Sequence, residues 1–226
     1  MNTRIVNFQQ RLEALEYVLS FSNKIYIPIE VGYLAICTYI KFLKRFTIDN
    51  HNWKKYVQMC VLTSYNTDRE SKLRILNVDP FIKWKTNDIV IIEKQILSSI
   101  SPNTTDCVLH HIKKAVHSNE YYNPYDKVYV ALLILFDDRY LYTNSSEMFK
   151  IITEFSQIFS LKRTKINQFI SNNDNFSHLY KLCVTDSSTF QIRDILCNQY
   201  RKLYFPEINQ SHLRIKSYNI SISDSK

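Results

Sequence analysis

Apolar residues recur along the chain at helical spacing, separated by short stretches of capping and turn residues. Over residues 7–21, Phe8, Leu12, Leu15, Val18 and Leu19 mark one side of a helix, with Arg11, Glu13 and Glu16 on the other. Over residues 30–46 (EVGYLAICTYIKFLKRF), Val31, Leu34, Ala35, Ile36, Tyr39 and Ile40 leave almost no polar face. A helix of that kind is expected where neighbours pack on every side. Its last turns are basic. Lys41, Lys44 and Arg45 stand at i, i+3 and i+4 near the negative end of the helix dipole and are predicted to share a solvent-facing side. Pro28 precedes this helix, a position that suits its fixed φ. The run from Asp49 to Asn52 offers caps for a third helix, from Trp53 to about Tyr65, with Trp53, Tyr56, Val57, Cys60 and Leu62 inward. A short helix over 71–77 is stopped by Asp79-Pro80. Asn87 or Asp88 then caps a helix whose Ile89, Ile92, Ile96 and Ile100 make an apolar stripe, ended by Ser101-Pro102.

After Pro102 the pattern begins again. Thr104 or Thr105 caps a helix with Val108, Leu109, Ile112 and Val116 inward, and Pro124 introduces a second very apolar helix centred on 128–136. Asn144 with Glu147 forms a capping box for the next helix, whose stripe is Met148, Ile151, Ile152, Phe155, Ile158 and Phe159. Shorter helices are predicted over 163–170 and 176–183, and a longer one over 189–203. From Ile208 the chain is polar and serine-rich and is expected to fray. Tyr33-Leu34-Ala35-Ile36 in the first central helix is echoed by Tyr129-Val130-Ala131-Leu132 in the second, each after an amphipathic helix and a proline. The expectation is an all-α fold in two halves, with no strand pair.

Composition removes several function classes. The single glycine, Gly32, excludes nucleotide-binding loops of the GxxxxGK[ST] or GxGxxG kind, and no cofactor is expected. The longest apolar run, Val128 to Phe136, is far below the ~20 residues of a spanning helix, and no signal peptide is evident. Five singly placed cysteines point to reduced thiols in a reducing compartment, hence to an intracellular protein. Cys107 with His110 and His111 has no second ligand pair at finger-like spacing, so no metal is expected. The six histidines form no motif with a nucleophile, and His110 and His117 are expected on a helix surface. Asp137-Asp138 reads as the wet end of the second central helix. No catalytic residues are assigned. The net charge of +8 favours an acidic protein or a nucleic acid as partner, although the basic residues are scattered.

In this register the first hundred residues resemble a cyclin box. Arg11 and Glu16-Tyr17 stand where the family has an Arg and an acidic-Trp pair on its first helix. Glu30, Leu34-Ala35-Ile36 and Lys41-Phe42 match its second helix without a gap, Thr63-Ser64-Tyr65 answers the Ala-Ser-Lys signature of its third, and Ile92-Glu93 opens its fifth. The resemblance implies two repeats of about five helices, each around a central buried helix. The corresponding domains are residues 1–101 and 102–207, followed by a polar tail, 208–226. It also implies a non-enzymatic regulatory subunit, nuclear or cytoplasmic, that binds a cyclin-dependent-type protein kinase through its first box and modulates it. Partner contacts are expected at Tyr65, Arg69, Lys72 and Glu93. Glu93 keeps one half of the family's Lys–Glu pair. Tyr65 replaces the Lys, so the positive charge is missing where the family has it, with Arg69 or Lys72 the nearest substitutes. Glu13 falls where the apolar substrate-docking patch of some cyclins would need an apolar side chain.

Two alternatives stand beside this reading. General transcription factors of the TFIIB type share the fold, and their second repeat grips DNA. Here Lys162, Arg163 and Lys165, at the turn within 149–170, are the possible nucleic-acid contacts. The other is a non-catalytic helical scaffold protein unrelated to cyclins.

Overall fold

The computed structural model describes residues 6–25, 27–49, 51–67, 86–99, 106–118, 124–160, 163–171 and 174–184. Among these the backbone closes into nine α-helices and no strand. They are α1 (Phe8–Ile25), α2 (Ile29–Leu43), α3 (Trp53–Thr67), α4 (Thr86–Ser99), α5 (Val108–Ser118), α6 (Pro124–Ile134), α7 (Ser145–Ser156), α8 (Arg163–Ser171) and α9 (Asp174–Val184). The helices expected over 71–77 and 189–203, and the serine-rich tail, lie outside the described residues.

Helix α2 begins where Pro28 sets an extended turn (φ −61°, ψ 150°) ahead of Ile29. All of its residues but Cys37 are buried, because α1, α3, α4 and α5 all pack on it. The single glycine is needed for that closeness. A Cβ at Gly32 would stand 3.1 Å from Val18 Cγ1 and 3.3 Å from Ser22 Oγ on α1. Helix α6 has the same role in the second group, packed by α5, α7 and α9. Its residues from Val128 to Ile134 are all buried. The two groups share one continuous apolar core, which runs from Val6 to Leu179. Across their boundary Phe8 of α1 meets Phe136 at 4.6 Å between ring centroids, and Tyr33 Oη of α2 donates to the Ala131 carbonyl of α6 at 3.1 Å.

Asn144 caps α7 as the residue spacing predicts, but Glu147 completes the box through the Asn144 side chain rather than its backbone N–H. Asn144 Oδ1 accepts the Glu147 N–H at 2.8 Å, and Asn144 Nδ2 donates to Glu147 Oε2 at 3.4 Å. Helices α8 and α9 are joined by a short link and pack through Phe169 and Phe176, whose rings stack at 5.6 Å.

Three sequence expectations are corrected by packing. Arg11 does not lie with Glu13 and Glu16 on the wet side of α1; it is buried, in line with Ala14, Leu15 and Val18. The basic end of α2 is not one solvent-facing patch. Lys41 is buried, Lys44 is half-buried in an ion pair, and only Arg45 is exposed, where its Nη1 donates to the Ser98 carbonyl at 2.7 Å. His110 is buried rather than a surface residue, since the neighbouring helices cover that side of α5.

Candidate docking face and charged junction

Helices α3 and α4 form one outer side of the first group. Tyr56 Oη reaches Gln95 Oε1 at 3.5 Å, and Arg45, just after α2, reaches the Ser98 carbonyl. The start of α3 therefore faces the C-terminal half of α4. Tyr65 is half-buried in the last turns of α3. Glu93 stands midway along α4. Arg69 and Lys72 lie outside the described residues.

Glu93 is half-buried, and its helix neighbours give its surroundings their character. Val90 stands one turn before it and Leu97 one turn after, both exposed (42% and 48%). Ile91 is more exposed still, at 57%. Among the described residues the only other exposed large apolar side chain is Tyr142. On the outer face of α4, Val90 and Leu97 are thus exposed with Lys94 beside them and the Glu93 carboxylate at the edge, while Ile92 and Ile96 anchor the inner face in the core. The periodicity of Ile89, Ile92 and Ile96 made the inner stripe legible; Val90, Ile91 and Leu97 add the second face. Such a surface suits a docked helix, with apolar side chains supplying burial and the carboxylate fixing register.

A second polar centre ties the two groups together. Arg11 Nε donates to the Val6 carbonyl at 3.2 Å, its Nη1 donates to the Leu135 carbonyl at 2.7 Å, and its Nη2 pairs with Asp138 Oδ1. Lys44 Nζ holds the other carboxylate oxygen of Asp138 at 2.7 Å. Burial pushes the Asp138 carboxyl up, but hydrogen bonds from Lys44 and Arg11 outweigh it and leave its pKa below the ordinary value. Next to it, Asp137 is buried; it accepts from Arg139 through both carboxylate oxygens, and its Oδ2 lies 3.0 Å from His178 Nδ1 on α9. Burial raises the Asp137 carboxyl and the Arg139 hydrogen bonds lower it further than that, so its pKa too is depressed. Asp137-Asp138 is therefore not a wet helix end but a double clasp, one acid gripping α1 and α2, the other α9. Sequence reasoning missed the clasp. The available signal was Arg11, three residues after Phe8 and four before Leu15, on the apolar stripe.

For the nucleic-acid reading, Lys165 is exposed on α8, Arg163 opens that helix, and Lys162 lies outside the described residues. No group of three or more His, Cys, Asp or Glu side chains among the described residues is arranged to hold a metal ion, and no described helix is long and apolar enough to cross a membrane. No protein-family model, curated protein or solved structure matches this chain.

Proposed function

We propose that this chain is a cyclin-like regulatory subunit, not an enzyme, that works inside the cell by docking a helix of a cyclin-dependent-type protein kinase on the α3–α4 face. The observation that carries the reading is the outer face of α4, where exposed Val90 and Leu97 stand one turn either side of the Glu93 carboxylate that the cyclin resemblance singles out, with Lys94 alongside. The grouping of helices around α2 and again around α6 supports a reading as two repeats, residues 1–101 and 102–207. Binding would bury Val90, Ile91 and Leu97 against the kinase's mobile helix and shift that helix towards its active, inward population. Tyr65 contributes a hydroxyl and a ring in place of an ammonium. The electrostatic grip then rests on Glu93, which makes the interface more apolar than a Lys–Glu pair would.

Affinity purification from native lysate, with kinases identified by mass spectrometry, tests the reading. Wild-type protein is expected to retain a kinase, and Glu93→Arg or Leu97→Asp to reduce its recovery at least about tenfold, as for central interface residues. If every co-purifying kinase is unchanged by both substitutions, the face is wrongly assigned.

The transcription-factor reading draws on α7 and α8, the stretch within 149–170, where Arg163 opens α8 and Lys165 is exposed near its start. It expects a duplex-DNA shift that weakens steeply with salt and further with Lys165→Glu. The kinase reading expects no such shift at low micromolar protein.

A further inference from the structure

Between α2, the start of α5 and the loop entering α7 lies a cavity of about 290 Å³. This is near the lower end of the ~300–1,000 Å³ typical of small-molecule sites. One wall is a single stripe of α2, Tyr33, Cys37 and Lys41, at i, i+4 and i+8. Leu34, Leu141 and Met148 supply apolar lining, and the exposed ring of Tyr142 stands at the mouth.

The unusual member is Lys41. It is 4% exposed, yet it makes no ion pair and no hydrogen bond with any described residue; its Nζ lies 5.4 Å from the Tyr142 ring centroid. Burial lowers its pKa, opposed only by the Cys37 thiol. That thiol is itself pushed up to about 11 by burial, so at neutral pH it is uncharged and offers no counter-charge. Two carboxylates line the same cavity, and both are engaged elsewhere. Asp106 Oδ2 accepts from Ser145 Oγ at 2.5 Å and lies 2.9 Å from His111 Nε2; Glu147 Oε2 accepts from Asn144 Nδ2 at 3.4 Å. Neither acts on the Lys41 amine. The positive end of the α7 dipole, at Ser145, borders the cavity as well. Among the described residues only the Tyr142 ring faces this ammonium, and a buried cation without a counter-charge is costly, so the cavity puts that cost where a ligand can remove it.

We propose that this cavity binds a small organic anion, with its carboxylate or phosphate on the Lys41 ammonium and its apolar body against Leu34, Leu141 and Met148. The site stands apart from the α4 face and does not depend on what binds there. The requirement for an apolar body separates it from a general phosphate site, and the small volume favours a single ring or a short chain.

Calorimetric titration of the full chain with phenyl phosphate, benzoate, benzyl alcohol and inorganic phosphate tests the site. At least one of the two ring-bearing anions is expected to bind, with benzyl alcohol and inorganic phosphate each at least about tenfold weaker. Lys41→Met, which keeps the stem and removes the charge, is expected to weaken the anion at least about tenfold, as for loss of a buried charged partner. An independent readout needs no variant. The Lys41 ε-amine, followed by NMR in wild-type protein, should titrate at higher pH with the anion bound, with Tyr33, Cys37, Asp106, Glu147 and Tyr142 as the other ionisable groups around the cavity. Equal binding of benzyl alcohol, full binding by Lys41→Met, an unmoved Lys41 titration, or no binding of either ring-bearing anion would each overturn the proposal. Equal binding of inorganic phosphate would overturn the role of the apolar lining.

Discussion

Replacing Arg11 with Met keeps a side chain of similar reach and removes every donor, so the loss can be worked from the contacts. The carbonyls of Val6 and Leu135 each lose a charged donor, at 3.2 and 2.7 Å, in a site where Arg11 is 4% exposed. A buried acceptor left without its donor costs about 1–3 kcal/mol. Asp138 loses its Arg11 pair but keeps Lys44 at 2.7 Å, and its side chain is 35% exposed. Solvent screening holds that part of the loss to about 1 kcal/mol or less. Arg11→Met should therefore cost about 4 kcal/mol, a large share of the ~5–15 kcal/mol of a typical fold. Asp138→Asn keeps both carbonyl bonds of Arg11 but takes the counter-charge from a buried guanidinium, and with the acid partly exposed it should cost about 2 kcal/mol, less than Arg11→Met. Urea unfolding with comparison of midpoints at constant m-value measures both. If Arg11→Met costs less than Asp138→Asn, the energy resides in the exposed ion pair and the reasoning about the buried carbonyls fails. The same clasp gives a pH signature. The folded pKa of Asp138 lies below its unfolded value of about 3.9, so its stabilisation is complete above that value and is lost as pH falls through the lower folded one. Asp137 and Asp106, also depressed, act in the same direction. Stability should thus drop below about pH 4, and Asp138→Asn should remove part of the drop.

Two further substitutions test the local packing. Gly32→Ala gains about 1 kcal/mol of helix propensity but sets a methyl 3.1 Å from Val18, which is fully buried, and 3.3 Å from Ser22, whose Oγ is already bonded to the Val18 carbonyl at 2.6 Å. Overpacking of about 1–3 kcal/mol should win, giving a net loss of about 1 kcal/mol by denaturant unfolding. Asn144→Ala removes the acceptor for the Glu147 N–H and should cost about 1 kcal/mol, read as a lower midpoint of thermal unfolding; an unchanged midpoint would mean that Ser145 or water replaces the cap.

Local chemistry made much of the helical framework legible. Pro28 and Asn144 mark helix starts because their effects act within one turn, and the near-complete apolarity of 31–40 announced a helix enclosed on every side. The periodicity of Ile92 and Ile96 placed the inner face of α4 for the same reason. The sequence fell short where charge met packing. Lys41, Lys44 and Arg45 are equivalent by spacing, yet the loop before α7 covers the first, Asp138 claims the second, and solvent takes the third.

By itself, then, the sequence determined the all-helical character, the two enclosed helices, the absence of glycine-rich phosphate loops and the position of Glu93 on a candidate docking helix. These follow from side-chain period and backbone preference, which need only near neighbours. The tertiary structure alone decided that Arg11 and Asp138, more than a hundred residues apart, close the junction between the two groups. It alone decided, too, that Lys41 is buried beside a cavity without a counter-charge among the described residues. Burial and pairing of a charge depend on which distant helix arrives to cover it, and no local pattern carries that information.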